Sequence, residues 1–336
     1  MNKNLILIAA LLALSLPWVG CNKSGKLGTA STFTPPSGPV ELKIKWPQGE
    51  RIVQDMDMKQ NMELAVPGQP APVKQDVTMG QEYGLTVLKE NSDGGHEVEM
   101  EFLSARMGVA MGGKSVLDYD SAKKSSAGKA DPVADMFGKI VGSKIQYFLN
   151  ASNEVERIEG VDELVNRLSS GPQAAALAPL KNTMFSEGQF KQIMSANRFM
   201  PPKAVQPGDT WPIKQSFEMG ALGNIGIDFD CTFQKWEMHG KRNCARLEFQ
   251  GTLNSTPGTN ATPVEMSMSI LDGNATGVSW FDPELGITID TIMNEDIKMV
   301  INMPMNPRGR TAAASRMQTI TNQMSQVINI KLVSVK

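Results

Sequence analysis

The feature that most limits the fold of this chain is a regular alternation of apolar and polar residues over two long stretches, at about 41–120 and 225–335. In one segment the apolar positions are Met56, Met58, Met62 and Leu64, and the polar ones are Asp55, Asp57, Asn61 and Glu63. A period of two is typical of a β-strand with one buried face. The runs, of about 12 to 18 residues, exceed the usual strand length of about five or six. The pattern predicts a mainly β (α+β) fold with two curved antiparallel meander sheets of long strands.

A proline-rich hinge at 200–212 (MPPKAVQPGDTWP) separates the two stretches. Within it, Pro207-Gly208 predicts a turn that Asp209 can cap, and Trp211 is predicted to pack between the halves. Before the hinge, residues 161–195 contain helical spacings. One helical face is Val161, Leu164, Val165 and Leu168, an alanine-rich stretch follows, and Ser186 with Gln189 forms a capping box. We predict a β-rich half at 41–160, a helical segment and hinge at 161–202, and a β-rich half at 203–336, with short helices between or over the sheets.

The two halves share a weak internal similarity. Residues 83–89 (YGLTVLK) resemble 229–235 (FDCTFQK), and each segment is followed by a loop and a Glu-Phe pair. Gly49-Glu50 precedes the first meander as Gly208-Asp209 precedes the second. Alternating segments match one another easily by chance, so the sequence leaves a duplication open.

Residues 1–20 predict a lipoprotein signal peptide. The apolar run at 5–16 is shorter than the roughly 20 residues of a membrane span. Gly20 directly precedes Cys21, as lipoprotein signal peptidase requires, although Trp18 stands where Leu is usual. We therefore predict lipidation of Cys21 by palmitate-type acyl chains that anchor the protein to a membrane. A plain secretory signal and an uncleaved anchor are the alternatives.

Residues 21–40 are rich in Gly, Ser, Thr and Pro and predict a flexible tether. Together with the signal peptide, the tether predicts a lipid-anchored protein of the bacterial cell envelope that faces the periplasm or the cell exterior.

Charge and motifs exclude several classes of function. The formal net charge is −2, from 33 basic and 35 acidic residues, and no basic block is present, so we predict no nucleic-acid partner. The sequence has no G-x-S-x-G elbow and no G-x-G-x-x-G turn. The two histidines, His96 and His239, stand at predicted hairpin tips as solvated residues and do not form a zinc site. We predict no catalytic residue, no cofactor and no metal.

Two cysteines lie beyond the hinge. In the predicted hairpin, Cys231 shares the apolar face with Phe229 and Phe233, whereas Cys244 shares the polar face with Arg246. Side-chain alternation therefore places the two thiols on opposite sides of the sheet, unless a bulge redirects one, and argues against a disulfide.

The chain is rich in methionine, with 22 residues. Three sets lie on single strand faces: Met56, Met58 and Met62; Met266 and Met268; Met293, Met299, Met303 and Met305. The sets fit an ordinary core, a pliable lining for a hydrophobic ligand, or Cu(I) capture by thioethers.

The hinge residues Val205, Gly208, Asp209 and Trp211 give the pattern V-x-x-G-D-x-W, which resembles a signature of uncharacterised bacterial envelope lipoproteins. The stretches 142–160 and 277–289 also fit that class. The resemblance implies a secreted, lipid-anchored, β-rich protein and carries over no catalytic residue.

These observations predict a non-enzymatic envelope protein with a binding or structural role. Its partners would be the membrane, through the N-terminal lipid, and either an envelope protein or a hydrophobic ligand. The alternative function is a carrier whose half-closed sheet, lined by Met and aliphatic residues, holds a hydrophobic ligand. A hydrolase is the third alternative.

Overall fold

The computed structural model describes residues 35–123, 138–168, 187, 190–191, 199–218, 223–256, 267–305 and 316–336. The predicted signal peptide, Cys21 and the tether up to residue 34 lie outside them, as does the predicted alanine-rich helix. The described strands are β1 (Arg51–Ala65), β2 (Val73–Glu90), β3 (His96–Met111), β4 (Lys114–Asp120), β5 (Lys144–Leu149), β6 (Val155–Glu159), β7 (Thr210–Glu218), β8 (Asn224–His239), β9 (Arg242–Thr256), β10 (Ser267–Asp282), β11 (Ile287–Met305) and β12 (Arg316–Val335).

The strands form one curved antiparallel sheet that is curled but not closed. Its order is β6-β5-β3-β2-β1-β12-β11-β10-β9-β8-β7, and β4 pairs with β3 beside this path. The mainly β fold class and both predicted meanders are confirmed. The meanders are not separate sheets, because β1 of the first pairs with β12 of the second from Ile52↔Val335 to Ala65↔Thr321. Two separate sheets would each have left a long strand edge unpaired, and the pairing removes both edges.

The inward face of the sheet carries the core. In β1 every even-numbered residue from Ile52 to Leu64 is buried, which confirms the predicted alternation. Buried residues of both halves belong to one continuous hydrophobic cluster. The N-terminal segment adds Leu42, Ile44 and Trp46 to it. That segment was predicted as a strand, but it runs outside the strands across one end of the sheet, which we call the near end.

The helix α1 (Val161–Leu168) packs against the core. Its buried residues are Val161, Leu164, Val165 and Leu168, the face that the sequence predicts. Asp162 and Glu163 in the first turn and Arg167 in the last complement the helix dipole. Phe190 and Lys191 are also helical, as predicted, whereas Ile193 and Met194 of the same predicted helix lie outside the described residues. No helix in the described ranges is long and apolar enough to cross a membrane.

The turns that precede β1 and β7 have the same geometry. Gly49 and Gly208 both have positive φ, at 80° and 97°. The Gly49 amide donates to Val87 O at 2.8 Å and the Gly208 amide donates to Phe233 O at 2.7 Å. In return the amides of Val87 and Phe233 donate to the residue after each glycine, at 3.1 and 2.9 Å. The matched turns support the internal similarity seen in the sequence.

Candidate functional site

Two rows of mainly apolar side chains cross the inward face over six consecutive strands, from β3 to β10. Direct cross-strand partners define the first row as Met107, Met79, Met58, Ile328, Met293 and Gly277. They define the second as Met111, Gln75, Met62, Met324, Ile297 and Gly273. We call these the methionine rows. Unbranched, polarizable methionine side chains adapt their shape to neighbours more readily than Leu or Ile.

Polar side chains lie between and beside the methionine rows. Gln60 of β1 pairs across to Gln326 of β12, which pairs to Glu295 of β11. Gln75 lies within the second methionine row. Asn322 is the inward-facing residue of β12 next to Met324 of that row. All five side chains are at most 2% exposed. We call these five residues the polar patch, which spans roughly 14 Å by 14 Å from the spacing of strands and of residues along them.

The polar patch is only partly satisfied by hydrogen bonds. Gln326 Nε2 donates to Glu295 Oε2, and Gln60 Nε2 lies near Met324 Sδ and 3.4 Å from Gln326 Oε1. Gln60 Oε1 and both side-chain polar atoms of Gln75 and Asn322 have no hydrogen-bond partner in the part of the chain that is described. A buried polar group without a partner costs about 1–3 kcal/mol of stability.

A buried amide just outside the patch is satisfied. Gln54 lies on the same face of β1 and is 1% exposed, and its Oε1 accepts a hydrogen bond of 3.0 Å from the Tyr83 hydroxyl. A buried amide on β1 can therefore find a partner, whereas Gln215 of β7, buried on the same face outside the patch, also has a side-chain nitrogen without a partner among the described residues.

Glu295 is the acidic member of the polar patch. Its burial raises the pKa to about 7, and the hydrogen bond from Gln326 partly opposes that rise. No Lys, Arg or His occurs among the buried side chains of the described residues. The patch can therefore donate and accept hydrogen bonds, but it offers no positive charge.

A cavity of 790 Å³ opens at the near end of the sheet. Trp46 and His96 line it, and their Nε1 and Nδ1 atoms are buried with no partner among residues that the structure describes. His96, predicted to be a solvated residue, is half-buried, and this burial lowers its pKa. Basic and acidic residues balance in the lining, which includes Lys43, Lys45, Glu90 and Glu284. The lining therefore gives no preference for a positively or a negatively charged ligand.

His239 also differs from the predicted solvated residue. On the outer face, its ring stacks on Trp280 with centroids 4.1 Å apart, and its Nε2 lies 3.2 Å from Asp290 Oδ2. The Trp280 indole donates to Glu237 Oε1. These contacts hold the end of β8 against β10 and β11.

Both described cysteines are free and buried. Cys231 pairs with Phe249 on the inward face, whereas Cys244 pairs with Glu237 beyond a bulge in β8. Burial raises the pKa of each thiol to about 12. Neither is therefore activated as a nucleophile.

Residues 108–115 (GVAMGGKS) match the sequence pattern of a phosphate-binding loop. Such a loop joins a strand to a helix. Here Gly112 and Gly113, both with positive φ, form the turn between β3 and the antiparallel β4. The segment is a β-hairpin, so it does not form a phosphate-binding loop.

The structure describes most, but not all, of the side chains in the predicted methionine sets. Those at Met56, Met58, Met62, Met268, Met293 and Met299 are buried on the inward face. Met266 and the side chains of Met303 and Met305 lie outside the described residues. Among described His, Cys, Asp and Glu, no group of three or more could hold a metal ion.

The paired acids Asp55 and Asp57 share the outer face with Arg106, which bonds to them at 2.9 and 3.1 Å. On the same face, Asp228 pairs with Lys214 at 2.9 Å. These acids form surface ion pairs, as expected for a solvated strand face.

The polar patch was not predicted, although the sequence contains its signal. In β1 and β12 the buried face consists of even-numbered residues, and Gln60, Asn322 and Gln326 are even-numbered. A search for polar residues in phase with the apolar ones would have found them. Their grouping required the cross-strand register, which the sequence does not contain.

Comparisons with known proteins give one sequence family and weak structural likenesses. A family model described as a family of unknown function (DUF6263) matches residues 93–288. No curated protein matches this chain.

Three solved structures match most of the length of this chain at low identity and low TM-score. A structure of lipid–protein interactions in lipovitellin is 8% identical with a TM-score of 0.41, covering 87% of this chain and 26% of that one. An exported protein with a YmcC-like fold from Bacteroides fragilis is 10% identical with a TM-score of 0.27, covering 88% and 100%. An outer-membrane lipoprotein-sorting protein domain from Vibrio parahaemolyticus is 11% identical with a TM-score of 0.14, covering 86% and 85%. At these scores none of the three assigns a function to this chain.

Proposed function

This chain belongs to the DUF6263 family of unknown function, whose model matches more than half of its length, and we propose that it is a non-enzymatic, lipid-anchored protein of the bacterial cell envelope that binds a hydrophobic ligand on the inward face of its sheet. The acyl chains on Cys21 would hold it at the membrane. The ligand would lie against the methionine rows.

The observation that carries this proposal is the methionine lining supplied by five neighbouring strands, β3, β2, β1, β12 and β11. Met58 and Met293 in the first row, and Met62 and Met324 in the second, are each at most 2% exposed. A core of this size is usually built mainly from Leu, Ile and Val, which pack in fewer shapes. Flexible methionine side chains can move aside for an apolar ligand and close again when it leaves.

The outer face offers a contrast in chemistry. A groove of 650 Å³ there crosses β2, β1, β12, β11 and β10, and its lining includes Glu63, Lys74, Asp76, Asp272 and Asp296. Such a surface suits water and polar partners. The inward face is therefore the better surface for a hydrophobic ligand.

The test is a titration of the detergent-free chain from residue 22 onward, secreted without the lipid, with the uncharged dye N-phenyl-1-naphthylamine. We expect saturable fluorescence enhancement at one dye per chain, and native mass spectrometry should show co-purified lipid. Met58→Gln and Met293→Gln should each weaken dye binding at least tenfold, because each places a polar group in the lining.

Met238→Gln is the matched control, since Met238 is 50% exposed on the sheet. It should bind dye like the wild type. Circular dichroism must show that all three variants keep their strands. Non-saturable binding, or equal loss in the control, would overturn the proposal in favour of a structural or partner-binding role.

A further inference from the structure

We infer that the inward-face site recognises a single-chain lipid with an uncharged, hydrogen-bonding head group, such as a glycerol ester, and that the polar patch is the part that binds the head. The inference rests on the proposed function, because it specifies the ligand of the same site.

The polar patch has hydrogen-bonding capacity that the described chain does not use. The amides of Gln75 and Asn322 offer both donors and acceptors, and Gln60 offers an acceptor, all without partners among the described residues. Gln54, on the same strand face as Gln60, is paired to Tyr83. Apolar residues at the patch positions would be cheaper to bury, so the unpaired amides point to a polar group that is not part of the chain.

The unpaired atoms of the polar patch lie directly beside the apolar lining. Gln75 lies inside the second methionine row, flanked across the strands by Met62 and Met111. The row of Gln60 lies between the two methionine rows. A ligand with an acyl chain along the methionines would therefore bring its head group to the amides of the patch.

The charges around the polar patch disfavour a charged head group. A carboxylate or phosphate head would have to shed its water beside Glu295, with no cation among the buried side chains of the described chain. Transfer of an uncompensated charge into such a site is strongly unfavourable. A hydroxyl-rich ester head can donate to Gln60 Oε1 and accept from the amides, and it brings no charge.

Competition for the bound dye at pH 8 tests this, with 1-monolauroylglycerol and laurate as probes that share a 12-carbon chain. Both are used below their micelle concentrations, on the same detergent-free chain. We expect the glycerol ester to displace the dye at a concentration at least tenfold lower than laurate. Gln75→Leu and Asn322→Leu should reduce that preference to less than threefold, with each competition compared against the dye affinity of the same variant.

Gln54→Leu is the matched control, because it removes a buried amide of the same face that lies outside the patch and outside the methionine rows. It should keep the preference for the ester, although its urea midpoint should fall, since Tyr83 loses its acceptor. Gln75→Leu should have a midpoint at or above the wild type, which a merely structural amide would not show.

The outcomes separate the two proposals. Failure of the wild-type chain to bind the dye overturns the proposed function itself. Dye binding with equal or tighter competition by laurate overturns only the head-group inference. An unchanged preference in both Gln75→Leu and Asn322→Leu also overturns it.

Discussion

Glu295 should control how the stability of this protein depends on pH. A free carboxyl loses its proton near pH 4.5, whereas burial raises the pKa of Glu295 to about 7. Between these values the folded protein holds a proton that the unfolded chain has released, so stability falls as pH rises through this window. We expect a loss of about 3 kcal/mol in the free energy of unfolding between pH 5 and pH 8 from this group.

Urea unfolding at the two pH values measures the effect. In Glu295→Gln the loss should shrink to less than about 1 kcal/mol, because the amide does not titrate. Asp296→Asn, on the outer face of the same strand, should keep the wild-type pH dependence. A Glu295→Gln variant that still loses stability like the wild type would show that another group is responsible.

Cys21 is the residue on which the proposed anchor depends. In bacteria grown with labelled palmitate, the full chain should incorporate label, and Cys21→Ala should incorporate none, because the thiol that receives the acyl group is gone. Cys231→Ala should remain labelled, since Cys231 is buried within the sheet. Label that persists in Cys21→Ala would contradict the anchor.

The burial or exposure of a residue was predictable where it follows from the alternation of apolar and polar residues alone. The alternation in β1 predicts that Met58 is buried and Asp57 is exposed, and both predictions are confirmed. His239 was not predictable in this way, because its burial depends on Trp280, which is 41 positions away in the sequence and becomes a neighbour only through pairing of β8, β9 and β10. To predict a contact between strands, the pairing register must be known as well as the alternation pattern.

At the scale of elements, β12 joins the two meanders, since it pairs with β1 of the first on one side and with β11 of the second on the other. Ser325 lies in its middle, opposite Asn61 of β1 and Asp296 of β11. Ser325→Pro removes a backbone donor from the ladder and should lower the free energy of unfolding by about 3 kcal/mol or more.

Chemical denaturation compares this variant with Ser325→Ala, which keeps the donor and the exposed position. The alanine variant should lie within about 0.5 kcal/mol of the wild type. Equal stability of the proline and alanine variants would mean that the central ladder contributes little.

Element types were largely predictable, and element partners were not. The period of two predicts the long strands, and the period of 3.6 predicts α1. The segment at 41–46 shows what the alternation does not predict. The alternation correctly predicts which of its side chains are buried, but none of the described strands pairs with it. The alternation of apolar residues determines which face of a segment is buried. The segment becomes a strand only if a neighbouring strand also has a free edge with which it can pair.

At the scale of the whole molecule, the sequence predicts two meanders, but it does not predict that they join in one sheet. The pairing that joins them connects residues near opposite ends of the chain, with the Arg51 amide 2.8 Å from Lys336 O and the Lys336 amide 3.0 Å from Arg51 O. Such distant pairing leaves no local mark, because each strand shows the same alternation whether it is an edge or a centre. The polar patch shares this limit, since its members come from β1, β2, β11 and β12.

The union of β1 with β12 also determines when the molecule can finish folding. Synthesis proceeds from the amino end, so β1 waits with one open edge until almost the entire polypeptide has left the ribosome. Until then β11 likewise lacks its later neighbour. Both strands therefore keep an unpaired edge from their synthesis until β12 is available, and during that period an edge can pair with another chain instead.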